Sequence, residues 1–203
     1  MIPSIVPIVE GHSDVKSVPV LMRRFFQLHG IYDVAIEKPI RIKRQQIIKE
    51  GQLERALARA LLRPNCRAIV IIVDADDDCP KELAPSLLKG AQKVSPSTVV
   101  SVVLPKSEFE SWFLGSIESL HGVRGISDTA TPPSDAEALR DAKGRLTNIM
   151  EGRRVYVEVD DQPAFAATFD FKLAYENCRS FRKFQKDFEV IMASLSEMHT
   201  KGR

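Results

Sequence analysis

The stretch AIVIIV at 68–73 runs without a break into Asp74, Asp76, Asp77 and Asp78. Five of its six residues are Ile or Val and the sixth is Ala. A strand with one wet face alternates apolar and polar residues. A strand apolar at every position has both faces covered, the condition of a parallel sheet between helix layers. The carboxylates that follow then lie at the strand's carboxyl end, where open α/β sheets gather their functional groups.

The rest of the chain can be read against that strand. SIVPIV (4–9) is a first strand ending at Glu10-Gly11. Val15, Val18, Leu21, Met22, Phe25 and Leu28 recur at helical spacing and predict a helix over 13–30, with Gly30 as its stop and Pro19 as its weak point. YDVAIEK (32–38) reads as a second strand. A Leu53/Leu57/Ala60/Leu61 stripe predicts a helix over 47–63, stopped by Pro64. The aliphatic strand at 67–73 is the third. A helix over 80–94, a fourth strand over 97–104 and an amphipathic helix over 107–120 follow. This alternation predicts an α/β fold: a doubly wound, mostly parallel sheet over residues 1–120. Residues 121–135, rich in Gly, Ser, Thr and Pro, read as a linker. Helices are expected over 134–150 and 180–195, the second with an apolar stripe of Phe181, Phe184, Phe188 and Ile191. RVYVEV (154–159) lies between them without an assignment. Residues 121–203 are therefore expected to form a C-terminal helical extension packed on the core.

Composition excludes some classes. The chain has 203 residues, 44% hydrophobic and 28% charged, ordinary for a soluble globular protein. A net charge of +2 neither demands nor excludes nucleic acid. Cys66, Cys79 and Cys178 have no metal-ligand spacing and no even pairing, which fits a reducing cytoplasm. The N-terminus lacks the pattern of a signal peptide and no apolar run is long enough to span a bilayer, so no membrane association is expected.

The acids carry the chemistry. Glu10 ends the first strand, and Asp74 and Asp76 end the third. If those strands are neighbours, three or four carboxylates meet on one rim. Converging like charges raise one another's pKa, and a hard divalent cation removes that penalty. The expected cofactor is Mg²⁺ or Mn²⁺, bound by Glu10, Asp74 and Asp76 for phosphoryl chemistry. Asp77 and Asp78 precede Pro80 and also suit helix capping or solvation. In EGHSD (10–14), Gly11 permits a tight turn, Ser13 suits a helix N-cap, and Asp14 either complements the helix dipole or supports Glu10 in catalysis. His12 and His29 have no partner spacing.

Lys106 follows the fourth strand and could hold a phosphate or offset developing charge. Ser107 and Glu110 match a capping box, which assigns Glu110 a structural role and leaves Glu108 free as an additional acid. Arg41, Lys43, Arg44 and Lys49 form a basic cluster, either a solvated loop or a set of nucleic-acid phosphate contacts. In CRSFRKFQK (178–186) the aromatics fit a core-facing stripe and the cations its wet face.

Glu10-Gly11-x-x-Asp14 after one strand and Asp74-x-Asp76-x-Asp78 after another resemble the Toprim domain of topoisomerases, primases and OLD-type nucleases. The resemblance implies that Glu10 is a general acid/base or metal ligand and that Asp74 and Asp76 bind a divalent metal, with Asp78 as a third ligand. SEFESWFLGS and CRSFRKF are similar to a small stand-alone bacterial Toprim family of unknown function. The Toprim match covers about residues 4–104, and the family likeness extends over most of the chain. No topoisomerase tyrosine region or primase zinc module is evident, which favours the nuclease branch. The resemblance implies metal-dependent phosphodiester cleavage of DNA or RNA in prokaryotic anti-phage defence. It further implies an ATPase partner and allows a homo-oligomer. IVIIVDADD also resembles the opening of haloacid-dehalogenase-type phosphatases, with Asp74 as nucleophile and Asp76 as acid/base, but that motif normally opens its fold. A receiver-like signalling module, with Asp74 phosphorylated and Lys106 as switch lysine, is the non-enzymatic alternative; it usually has paired acids after its first strand.

Overall fold

The structure is a computed structural model. It describes the backbone of residues 1–49 and 51–201, and side chains as far as Glu197. Five strands form one parallel sheet: β1 (Ser4–Val9), β2 (Ala35–Ile36), β3 (Ile40–Arg41), β4 (Cys66–Ile72) and β5 (Val99–Val103). The order is β2-β1-β4-β5, and β3 pairs with β1 beyond β2. The doubly wound, mostly parallel expectation holds. β1 and β4 are neighbours, with Val9 opposite Ile72, so Glu10 and the Asp74 loop leave the sheet side by side.

Side-chain alternation sorts the two central strands between two cores. Val6 and Ile8 of β1, with Ile69 and Ile71 of β4, face α3 (Gln52–Leu61) and α4 (Pro80–Val94). Ile5 and Val9, with Ala68, Val70 and Ile72, face α1 (Asp14–Leu28) and the C-terminal helices. Both faces are covered, which is why AIVIIV carries no polar residue.

The second face departs from the sequence reading. The 107–120 helix is only α5 (Ser111–Gly115), followed by a 3₁₀ turn Ile117–Leu120. Every residue of α5 is buried, so it is not a surface helix with a wet side. Gly115 admits a close approach, since a Cβ there would lie 2.4 Å from Cys178 Sγ. The 134–150 helix shrinks to α6 (Ala142–Asn148), because Asp135 Oδ1 accepts the amides of Glu137 and Ala138 and folds that segment into a turn. The expected strand at 32–38 pairs only at Ala35–Ile36. In place of one helix over 47–63 there are α2 (Arg44–Ile47) and α3; Glu50 lies outside the described residues.

Two helices had no sequence assignment, α7 (Glu158–Thr168) and α8 (Phe171–Asn177). They precede α9 (Arg179–Lys201), whose Phe181, Phe184, Phe188 and Ile191 are fully buried, as the stripe predicts. These rings join Phe25 of α1 and Trp112 of α5 in edge and tilted contacts; Phe184 and Phe188 centroids are 4.2 Å apart. One buried cluster thus runs from Ile5 to Leu195. The chain after residue 120 forms the cover of one sheet face, and no break in the core falls at that point.

Candidate functional site

Three adjacent parallel strands, β1, β4 and β5, end at the same edge and each delivers an acid. Glu10 follows β1 directly. The next turn is closed by Asp14, whose Oδ2 accepts the Gly11 amide at 2.7 Å. A Cβ on Gly11 would sit 2.9 Å from that oxygen, so the turn favours glycine. Asp74 follows β4, and its loop is strapped to the loop after β5: Ala75 N–H donates to Pro105 O at 2.9 Å and Asp76 N–H to Ser107 O at 3.1 Å. Asp76 adopts φ 50°, a left-handed conformation that Asp tolerates better than most residues. Beyond β5 the chain reaches Glu110, which is completely buried.

This placement overturns the capping-box reading. Ser107 has φ 64° and its hydroxyl turns to Glu137 O, while Glu110 makes no cap hydrogen bond. Instead Glu110 Oε1 accepts from the Tyr156 hydroxyl at 2.9 Å and from Gln162 Nε2 at 3.3 Å. Gln162 also donates to Asp14 Oδ1 at 3.2 Å, and its own oxygen accepts from Ser17 Oγ at 2.6 Å. The Ser13 hydroxyl does not cap α1; it donates to Glu158 Oε1, whose other oxygen pairs with Lys143 Nζ at 3.0 Å. Gln162 and Glu158 come from α7. Its start is anchored by fully buried Asp161, which accepts from Arg124 and Arg154 at 2.9 and 2.8 Å and from the Val157 amide at 2.7 Å.

Electrostatics follow from this packing. Burial, then Glu110, Asp14 and Glu10, push the Asp74 carboxyl well above its usual range, with Lys143 pulling the other way. Burial raises Glu110 to about 7 despite Lys143 and the Tyr156 hydroxyl. Glu10 is raised by burial and by Asp76, tempered by Arg44. Asp14 is raised by burial, tempered by the Gly11 amide and Gln162. Burial opposes the Lys143 charge, but Glu110, Glu158 and Asp74 outweigh it and hold the ammonium above its usual range. The Tyr156 phenol is raised by burial and by Glu110. Burial opposes the Glu158 charge too, yet the Ser13 hydroxyl and Lys143 lower its pKa.

Of the three acids expected on one rim, Glu10 and Asp74 lie together, with Asp14 beside them, and Asp76 does not join them. Asp76 and Asp78 are exposed and turn to Arg44, which lies 3.7 Å from Asp76, contacts Asp78 closely and donates to Ala75 O at 3.4 Å. Arg44 is thus a clamp on the aspartate loop, not a free phosphate contact, because its guanidinium is largely buried between those acids. Arg41 donates to Glu10 O at 3.3 Å and remains exposed, as do Lys43 and Lys49. Asp77 pairs with Arg140 in solvent. Lys106 makes no ion pair among the described residues and lines a groove beside β5; Lys143 is the cation among the acids. Glu108 is not free: its Oε2 accepts the Lys143 amide at 3.4 Å. His12 is exposed, and the His29 ring bonds to Phe25 O.

Among the described residues, no three carboxylate, His or Cys side chains already converge as a metal cage. Two buried carboxylate oxygens, Glu10 Oε2 and Glu110 Oε2, nevertheless have no hydrogen-bond partner. An unpaired buried carboxylate oxygen is costly. Hard oxygen donors of this kind suit Mg²⁺ or Mn²⁺.

Residues 9–189 match the model of a family described as a domain of unknown function, DUF4276. The chain belongs to that family. The match begins at the end of β1 and reaches into α9, so it takes in the acids from all three strand ends together with Lys143, Tyr156 and α7. No curated protein and no solved structure matches the chain.

Proposed function

We propose that the chain is a divalent-metal-dependent enzyme that cleaves phosphodiester bonds in DNA or RNA, a nuclease of the Toprim type. The supporting observation is the arrival of Glu10, Asp74 and Glu110 at one sheet edge, with an unpartnered oxygen on the first and last. Those three residues would hold Mg²⁺ or Mn²⁺, with Asp76 and Asp78 as further donors once Arg44 releases them. Held by these residues, such a cation would supply Lewis-acid polarisation of the scissile phosphate and a more acidic water. Lys143, held charged among the acids, offsets negative charge gathering on the phosphate. Asp14 is a positioning residue, since both its oxygens are engaged, by the Gly11 amide and Gln162. Arg41, Lys43 and Lys49, exposed on the β1 side, hold the strand. The phosphatase alternative draws less support, because that motif normally opens its fold, whereas β1 to α3 precede the strand that delivers Asp74. No helix among the described residues is long and apolar enough to cross a membrane. A cytoplasmic role in anti-phage defence with an ATPase partner completes the proposal and rests on the Toprim resemblance.

The test combines the chain and any adjacently encoded ATPase with ATP, Mg²⁺ or Mn²⁺, and plasmid, linear duplex, single strands and transfer RNA. Cleavage that is lost in Glu10→Gln and Asp74→Asn, with nucleic-acid binding retained, is the expected result. Intact substrates under every condition would overturn the nuclease reading.

A further inference from the structure

Among the described residues β5 is an outer strand of the sheet and pairs only with β4. Its sequence VVSVV carries no charge and no Pro, the usual devices that blunt a free edge. Beside it a groove of about 920 Å³ opens between α4 and α9. The flanks differ in character. The α4 flank is apolar, with Ala84, Pro85 and Leu88. The α9 flank is cationic, with Arg179, Arg182 and Lys183 beside the 61% exposed Val190. Lys81 and Lys106 add charge at one end.

The groove's acids are already engaged. Glu137 accepts the amides of Arg179 and Ser180 at 2.7 and 2.8 Å and so closes the start of α9. Asp187 takes the Ser101 hydroxyl and Lys183, and Asp135 takes two amides of its own turn. Lys81, Lys106 and the Arg179 side chain form no ion pair among the described residues. The groove therefore offers an unpaired strand edge at its floor, half-buried at Val99 and Val100 and buried from Ser101 to Val103, an apolar stretch of α4 on one side, and around it three cations without an ion partner among the described residues, Lys81, Lys106 and Arg179.

We propose that this edge docks a partner protein through an extended segment of alternating apolar and acidic residues, added as a further strand beside β5. Successive side chains of a strand point to opposite faces. Such a segment lays its apolar residues against Ala84 and Leu88 and its carboxylates toward Arg179. Main-chain hydrogen bonds to β5 supply affinity, and the alternation supplies specificity. A second copy is a poor occupant, because two-fold pairing of this edge sets the same cationic rim against itself. Single-stranded nucleic acid binds by stacking on aromatic side chains, and no lining residue is aromatic. The proposal is independent of the chemistry assigned to the acids.

Fluorescence anisotropy with the full chain tests it. The probes are a short labelled peptide alternating valine and glutamate, its valine–lysine counterpart, and the glutamate peptide N-methylated at alternate amides. The glutamate peptide should bind at least about tenfold tighter than the lysine peptide, and N-methylation should abolish binding. The double variant Lys81→Glu/Arg179→Glu, verified as folded by circular dichroism, should reverse the charge preference. The proposal is overturned by any of several results: no binding, equal binding of both charge types, indifference to N-methylation, or displacement of the peptide by an oligonucleotide of equal affinity. Sedimentation that finds a dimer which Leu88→Asp dissociates would assign the edge to a second copy instead.

Discussion

Asp74 and Asp78 leave the end of the same strand, but Asp74 turns inward among Glu10, Asp14 and Glu110 while Asp78 turns outward to Arg44. The inner group is desolvated, with one lysine to offset several carboxylates. The outer group is wet and already paired with arginine. Clustered acids do not by themselves define a site. The inner group lacks a partner that a cation could supply, and the outer group has one that a cation must displace.

The largest effect should come from the inner group. Asp74→Asn and Glu110→Gln should each lower Mn²⁺ affinity by more than the roughly 10–100-fold that loss of an outer-shell partner costs, measured by calorimetric titration. Thermal stability without metal should be kept or raised, since each change removes a buried charge from a like-charged cluster. Unchanged affinity in both variants would place the metal elsewhere.

A second effect is in pH. Glu110 ordinarily titrates at 4.5 and is raised to about 7 in the fold, so the native state holds its proton where the unfolded chain has lost it. The native state then binds more protons than the unfolded state between those values, and stability falls as pH rises through that window. Asp74, Glu10 and Asp14, all raised, act in the same direction. Melting temperature in chelator should therefore be higher near pH 5 than near pH 8. Mn²⁺ should flatten the trend by favouring the ionised acids, and Glu110→Gln should remove part of it. A melting temperature that rises across this range in chelator would contradict the inner cluster's electrostatics.

Arg44→Gln distinguishes the two groups from the other side. It frees Asp76 and Asp78, so Mn²⁺ should bind several-fold more tightly, whereas weaker binding would make Arg44 a support for the site. Next, Tyr156→Phe removes one of the two donors to Glu110 Oε1. It should cost about 1 kcal/mol in denaturant unfolding and raise the Glu110 pKa further. The smallest effect belongs to the Asp77–Arg140 pair, whose side chains are 79% and 83% exposed. Arg140→Gln should change stability by less than about 0.5 kcal/mol, with no change in metal affinity.

Much of the fold was legible because its signals are local. β1 and α4 occupy the expected residues, 4–9 and 80–94, and β4 lies one residue from its expected position. An aliphatic run, a Pro at a helix start and a turn glycine act within a few residues of themselves. The α9 stripe was equally plain. The segments misread are those whose conformation is set from afar. SEFESWFLGS has helical spacing, but Ser107 adopts φ 64° and the regular helix is confined to Ser111–Gly115, followed by a 3₁₀ turn. Residues 134–141 form turns around Asp135 and Asp141 instead of a helix. α7 showed no clear stripe because it carries Glu158, Asp161 and Gln162 toward buried partners.

The same division runs through the site. The sequence places Glu10, Asp74 and Asp76 at one rim, because an all-apolar strand demands a covered parallel sheet and strand ends in such a sheet share an edge; Glu10 and Asp74 do lie together there, while Asp76 turns outward to Arg44. One signal was overlooked: Glu110 lies among Phe109, Trp112 and Phe113, with no wet face to occupy. Tertiary structure alone decided that Lys143, Tyr156, Glu158 and Gln162 surround those acids, that Lys106 faces a different groove, and that Arg44 closes on Asp76 and Asp78. These pairings join residues such as Ser13 and Glu158, or Arg44 and Asp78, that lie far apart in the chain. No local pattern encodes them, since burial and charge compensation become decisive only when the second helical layer has packed against the sheet.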